Sequence, residues 1–217
     1  MKKFIIIGSG DHAKVIANEL LDKKKFLGFV DVKKSKIDDK LKKYYLGDIN
    51  FFCSTKSLNY QAIIGIGRGD IRRKIVKEIN QKKIKVNWGV FISEKAVIMN
   101  DIKIGEGSVV LKGCVISNNC KIGKHCHFNT GTILDHNNTF KDFTGTGPGV
   151  VTGGNVHVDL ESFIGIGSTV KNNIFIKTQT IIGSGSVVVK STRKKSIYFG
   201  NPATFKRTKK NNENYFK

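Results

Sequence analysis

Along the chain the apolar positions follow two rhythms, and the change falls near residue 90. Before it, short apolar runs alternate with stretches of helical period. Residues 4–7 (Phe-Ile-Ile-Ile) predict a buried strand, followed by Gly8-Ser9-Gly10 and a helix carrying Ala13, Ile16, Ala17 and Leu20 on one face. Residues 26–30 predict a second strand ending at Asp31, and residues 62–66 a third ending in Gly65-Ile66-Gly67. A helix over 70–81 places Ile71, Ile75 and Ile79 on one face, and residues 84–86 predict a fourth strand. Such alternation predicts a small parallel α/β domain, about half of a dinucleotide-binding fold.

After residue 90 the period becomes six. An aliphatic or aromatic residue recurs at every sixth position from Ile92, Ile98, Ile104 and Val110 through to Ile182 and Val188, broken only by Thr146 and Thr152. Four places after each stands a mostly small residue, such as Ser108, Cys114, Cys120, Cys126, Thr132 or Ser168. Three places after it, Gly, Asn or Asp is frequent, as at Asp101, Gly113, Asn119, Asn137, Gly149 and Asn173. Those residue types tolerate a positive φ, so each hexad predicts one sharp corner. One large inward residue, one small inward residue and one corner per short repeat describe a β-solenoid.

Composition narrows the class. The 217 residues include Lys+Arg 38 and Asp+Glu 17, a net charge of +21, with 39% hydrophobic residues. That balance is globular, which excludes a disordered polycation. No apolar run approaches the roughly 20 residues of a membrane helix, and the run after Met1-Lys2-Lys3 stops at Gly8, too soon for a signal peptide. The expectation is a soluble cytoplasmic protein with no membrane insertion. The charge invites a nucleic-acid reading, but no helix-turn-helix, zinc-finger or aromatic-basic motif supports one. Lysine pairs such as Lys33-Lys34, Lys42-Lys43 and Lys194-Lys195 read as solvated surface that helps attract polyanionic ligands. Cys114, Cys120 and Cys126 fall in the small inward column and read as core packing. The histidine spacings fit no zinc site, so no metal is expected.

Several motifs carry a family resemblance. Gly8-Ser9-Gly10-Asp11-His12-Ala13, Gly65-Ile66-Gly67, Asn129-Thr130-Gly131-Thr132-Ile133-Leu134-Asp135-His136 and Gly200-Asn201-Pro202-Ala203 resemble the bacterial NeuD/PglD-type sugar acetyltransferases, hexapeptide-repeat enzymes. The resemblance implies a Rossmann-like sugar-nucleotide-binding domain over 1–88, a left-handed β-helix over 89–207 and a flexible tail over 208–217. It implies a homotrimer that binds acetyl-CoA between subunits. The implied reaction is N-acetylation of a nucleotide-linked amino sugar of the UDP-4-amino-sugar type for surface glycans. O-acetylation of sialic acid or another sugar hydroxyl, or sugar-nucleotide binding without catalysis, remain alternatives.

Hexad phase turns His136 outward, and an imidazole suits proton removal from an attacking amine or hydroxyl. The resemblance makes His136 the general base, with Asp135 and Asn137 beside it in the catalytic group. The family more often has an acid at the Asn137 position, and a second His where this chain has Gly145. Backbone N–H groups or Thr hydroxyls are then the expected oxyanion donors. The resemblance assigns Gly145, Thr146, Gly154, Ile166, Gly167, Gly183, Gly185 and Pro202 to acetyl-CoA. Gly8-x-Gly10-x-x-Ala13 followed by Asp31 nominally matches a dinucleotide fingerprint. With half the usual strands, a nucleotide diphosphate-sugar fits it better, held by Gly8, Gly10 and Asp31, with Arg72 toward phosphate. The resemblance adds His12, Gly65 and Gly67 to that site.

Overall fold

A computed structural model describes residues 3–22, 24–32, 39–54, 59–100, 102–210 and 213. Asp101, Lys33-Lys34 and most of the expected tail lie outside the described residues. The chain divides into two compact units, Met1–Phe91 and Ile92–Lys217.

The first unit is a four-stranded parallel sheet of β1 (Lys3–Ile7), β2 (Phe26–Val30), β3 (Tyr45–Gly47) and β4 (Tyr60–Ile64). Its order is β3-β2-β1-β4. Among the described residues three α-helices accompany it, α1 (Asp11–Asp22), the single-turn α2 (Phe51–Ser54) and α3 (Gly69–Gln81), with a 3-10 helix over Asp39–Tyr44. α1 buries the predicted face of Ala13, Ile16, Ala17 and Leu20. Two expectations fail here. Residues 84–86 form no strand: the Ile84 N–H bonds the carbonyl of Ile79, so Ile84 enters the core as the end of a helical turn. Only Trp88 bridges to the sheet, opposite Ala62. The fourth strand is instead the short β3. On α3, Ile79 is buried as expected, but the fully buried neighbour is Arg72.

The second unit is a left-handed parallel β-helix of two-residue strands on three faces. Each strand pairs with the one eighteen residues on, so Leu134 lies between Ile116 and Thr152. Three hexads therefore make one coil. The large column fills its interior from Val110 through Phe128, Leu134, Phe140 and Ile164 to Val188. Cys114, Cys120 and Cys126 are buried in the small column, with their sulfurs against backbone carbonyls.

Each corner repeats a left-handed residue, and the three corners use different chemistry. One is Gly113, Gly131, Gly149, Gly167 and Gly185; the next is Asn119, Asn137, Asn155 and Asn173. The third sets His125, Phe143, Glu161 and Gln179 at φ of 53° to 59°, residue types that the corner rule did not anticipate. Stacking of His125 on Phe143 at 5.2 Å and a 2.7 Å Gln179–Glu161 hydrogen bond offset the backbone cost there. The solenoid ends in a hairpin of Ser196–Phe199 and Thr204–Thr208, and the Lys209 N–H still bonds Lys195. Ordered chain thus continues past 207, into the segment expected as tail.

Candidate active site

In the first unit, the carboxyl ends of β1, β2 and β4 bring together the glycine loop, Asp31 and Gly65-Ile66-Gly67. A parallel sheet binds ligands at such a switch of strand order. Gly8 has φ +96°, and a Cβ there would stand 2.8 Å from Ile66. Gly10 has no heavy atom within 4 Å of a Cβ built on it, so that backbone is open to a ligand. A Cβ on Gly65 would meet Ala13 of α1 at 2.6 Å, so Gly65 permits close helix packing. Ser9 Oγ donates to Asp31 Oδ2 at 2.5 Å, and the Val32 N–H donates to Oδ1. Ser9, passed over in the motif reading, therefore fixes the carboxylate. Its signal was a hydroxyl between two glycines opposite a strand-ending acid.

Arg72 lies on neither a solvated helix face nor an open phosphate site. Its buried Nη1 donates to the carbonyls of Ile66 (3.0 Å) and Gly67 (2.6 Å), so it acts on a ligand only through the loop it holds. Burial, with the Arg72 charge second, lowers the His12 pKa from 6.5 to about 4. His12 is therefore a neutral imidazole at pH 7. Its folded pKa lies below the unfolded one, so its contribution to stability is complete above about pH 6.5 and is lost as pH falls towards 4. The loss is on the order of 3 kcal/mol. His12→Gln should flatten the stability profile between those pH values, as urea unfolding at several pH values would read. An unchanged slope would contradict the assignment.

In the second unit His136 stands on the asparagine corner, with its side chain 52% exposed. Three contacts define its position. Asp135 Oδ1 accepts the His136 backbone N–H at 2.7 Å, while Oδ2 lies 3.9 Å from Nε2. The Asn137 amide lies 3.1 Å from Nδ1. The ring lies over Gly154, where a Cβ would come within 2.5 Å of Cε1. Asp135 Oδ2 therefore lies on the Nε2 side of the ring, and Asn137 on the Nδ1 side. Gly154, assigned to the cofactor, is the floor under the imidazole.

The other cofactor-assigned residues do not join His136 within one coil. Ile166, Gly167 and Gly185 lie on the glycine corner, and Gly183 at its start beside Phe199. Pro202 is exposed in the terminal hairpin. Gly145 is buried on a strand, and the Thr146 hydroxyl is inside the solenoid, bonded to Thr132 Oγ1 at 2.8 Å and to the Asn129 N–H. Thr146 is thus withdrawn from the oxyanion role, which leaves backbone N–H groups. Among the described residues no group of three or more His, Cys, Asp or Glu side chains could hold a metal ion, and no helix is long and apolar enough to cross a membrane.

A hexapeptide solenoid with an outward histidine, carrying a glycine-loop α/β unit, has the architecture of the hexapeptide-repeat acyltransferases. Residues 3–79 match the PglD N-terminal domain family. PerB from Caulobacter crescentus, solved with CoA and GDP-perosamine, is 26% identical, with 95% of this chain and 98% of that chain covered and a TM-score of 0.84. The acetyltransferase domain of PglB from Neisseria gonorrhoeae, solved with acetyl coenzyme A, shares the fold at 24% identity, covering 94% of this chain and 98% of that one, with a TM-score of 0.84. WeeI from Acinetobacter baumannii does so at 24%, covering 94% and 100%, with a TM-score of 0.79. No curated protein sequence matches the chain. Residues 3–79 thus carry a PglD N-terminal domain, and over 95% of its length the chain is similar to a sugar acetyltransferase of this fold.

Proposed function

We propose that this protein transfers the acetyl group of acetyl-CoA to the amine of a nucleotide-linked amino sugar, with His136 as general base. The single observation that carries the reading is the half-exposed His136 imidazole, seated on Gly154 and flanked by Asp135 and Asn137, in a chain whose likeness to PerB covers 95% of its length. The acceptor amine attacks the thioester carbonyl and its proton passes to Nε2. The C–S bond then breaks, and His136 returns the proton to the departing thiolate. In the base-competent tautomer Nδ1–H donates to the Asn137 amide turned oxygen-first, which leaves Nε2 free. Asp135 Oδ2, on the Nε2 side, steadies the imidazolium, and backbone N–H groups receive the oxyanion.

The acceptor's nucleotide belongs at Gly8, Gly10 and Asp31, with neutral His12 nearby. A homotrimer fits the solenoid's surface. Val97 (54% exposed), Ile133 (40%) and Val151 (37%) form an apolar outer stripe on the face that runs between the glycine and asparagine corners. A second copy against that stripe brings its glycine corner, with Ile166, Gly167 and Gly185, to His136. Acetyl-CoA lies in that groove, and the reaction runs in the cytoplasm.

Incubation with acetyl-CoA and either GDP-perosamine or free sialic acid, followed by mass spectrometry, tests the reading. It predicts an amide-linked acetyl group on the amino-sugar nucleotide and none on sialic acid. Acetylated sialic acid alone would replace the amine acceptor with a hydroxyl, and no binding of acetyl-CoA by calorimetry would sink the enzyme reading.

A further inference from the structure

Only Thr146 and Thr152 interrupt the large apolar column, and both lie in the coil stacked on the His136 coil. The structure supplies a reason at Thr152. Asn138, fully buried in the small column, donates through Nδ2 to the Asp135 carbonyl (2.7 Å), Thr152 Oγ1 (2.9 Å) and the Gly153 carbonyl (3.1 Å). Its Oδ1 accepts the Val156 N–H at 2.7 Å. One amide thus joins the residue before His136 to the residues on both sides of Gly154.

The backbone ladder is loose at the same place. Along this face the equivalent bonds from Met99, Ser117, Gly153 and Lys171 measure 3.0, 2.9, 2.8 and 2.9 Å, whereas Asp135 N–H to Thr152 O measures 3.3 Å. The longer bond is confined to the residue before the imidazole, since Asn155 N–H to the His136 carbonyl closes at 3.0 Å. A buried polar group is tolerated only when its hydrogen bonds are made, and here every one goes to the two segments that define the base. A thiol in this column, as at Cys114, Cys120 and Cys126, reaches the carbonyl fifteen residues on with one weak donor, but it brings no second donor hydrogen and no oxygen to accept the Val156 N–H.

We propose that Asn138 and Thr152 form a buried polar wedge that ties the Asp135 segment to residues 152–156 and so positions the imidazole over Gly154. Both are positioning residues, since neither touches substrate. The inference rests on His136 being the reacting base, and its test separates the two.

Asn138→Cys installs the residue type that the column uses elsewhere, and Thr152→Val removes one hydroxyl at constant shape. Each should lower kcat about 10-fold to 100-fold, the scale for a misplacement of about 1 Å, with KM for acetyl-CoA unchanged and GDP-perosamine as acceptor. Thr152→Ser should restore kcat. In the NMR spectrum of the full-length protein, the cross-peak from His136 Cε1–H to the Gly154 α protons should weaken in the first two variants and persist in the third. Loss of the cross-peak with kcat unchanged would support the wedge while removing His136 as base. Folded variants that keep both the cross-peak and kcat would overturn the wedge, and if Asn138→Cys does not fold, the Thr152 pair decides.

Discussion

His136→Ala should lower kcat by about 10²-fold to 10⁴-fold, the usual contribution of a general base. That is about 3–5.5 kcal/mol of barrier. KM for both substrates should stay near the wild-type value, because the imidazole acts on a proton in flight and holds no ligand in the ground state. The fold should be unaffected. The side chain is half exposed, and the backbone bonds of that corner, Asn137 N–H to Asn118 and Asn155 N–H to the His136 carbonyl, do not need it. Thiol release from acetyl-CoA in the presence of GDP-perosamine gives the rate. A variant with wild-type kcat would remove His136 from the chemistry whatever its surroundings.

Arg72→Met should be the most damaging single change in the first unit. It leaves the part-buried Ile66 and Gly67 carbonyls without the fully buried donor that now holds them. Unmade bonds of this kind cost about 1–3 kcal/mol each, so the expected loss over the two is about 2–6 kcal/mol. Most of the helix of the described residues lies in α1 and α3 of this unit, so far-UV circular dichroism during urea unfolding reports on it directly. A second readout separates this role from packing alone. The Arg72 charge is one of two reasons for the low His12 pKa, so in the variant the His12 titration should move up from about 4 towards 6.5. A stable variant with His12 unmoved would contradict both statements.

Much of the fold could be read from the chain because the solenoid repeats one rule. Every sixth residue from Ile98 to Val188 faces the same interior, with Ile92 alone exposed at its start, so a single periodicity covers the coils and each confirms its neighbours. The Gly and Asn corners were legible for the same reason, since those residues reach a left-handed φ cheaply. His125, Phe143, Glu161 and Gln179 were not, because their conformation is imposed by the ladders on either side and sustained by contacts between coils. In the first unit, Tyr45–Gly47 is too short and too hemmed by lysines to show as a strand. Ile84 looked like one because burial at a helix end and burial in a sheet leave the same apolar mark.

The candidate site divided along similar lines. His136 could be placed because hexad phase fixes which side chains face outward. Gly154 and Asn138 could not be placed correctly, since their role depends on a residue two positions or one coil away. Arg72 misled because arginines on helices usually face water, and nothing local reveals that two loop carbonyls await it.

The most direct test is a structure determined with acetyl-CoA bound. The account predicts the pantetheine arm in a groove shared with a second copy, with its thioester carbon facing His136 Nε2 and room between them for an amine. A thioester held away from His136, or acetyl-CoA bound wholly on one protomer's glycine corner, would contradict it.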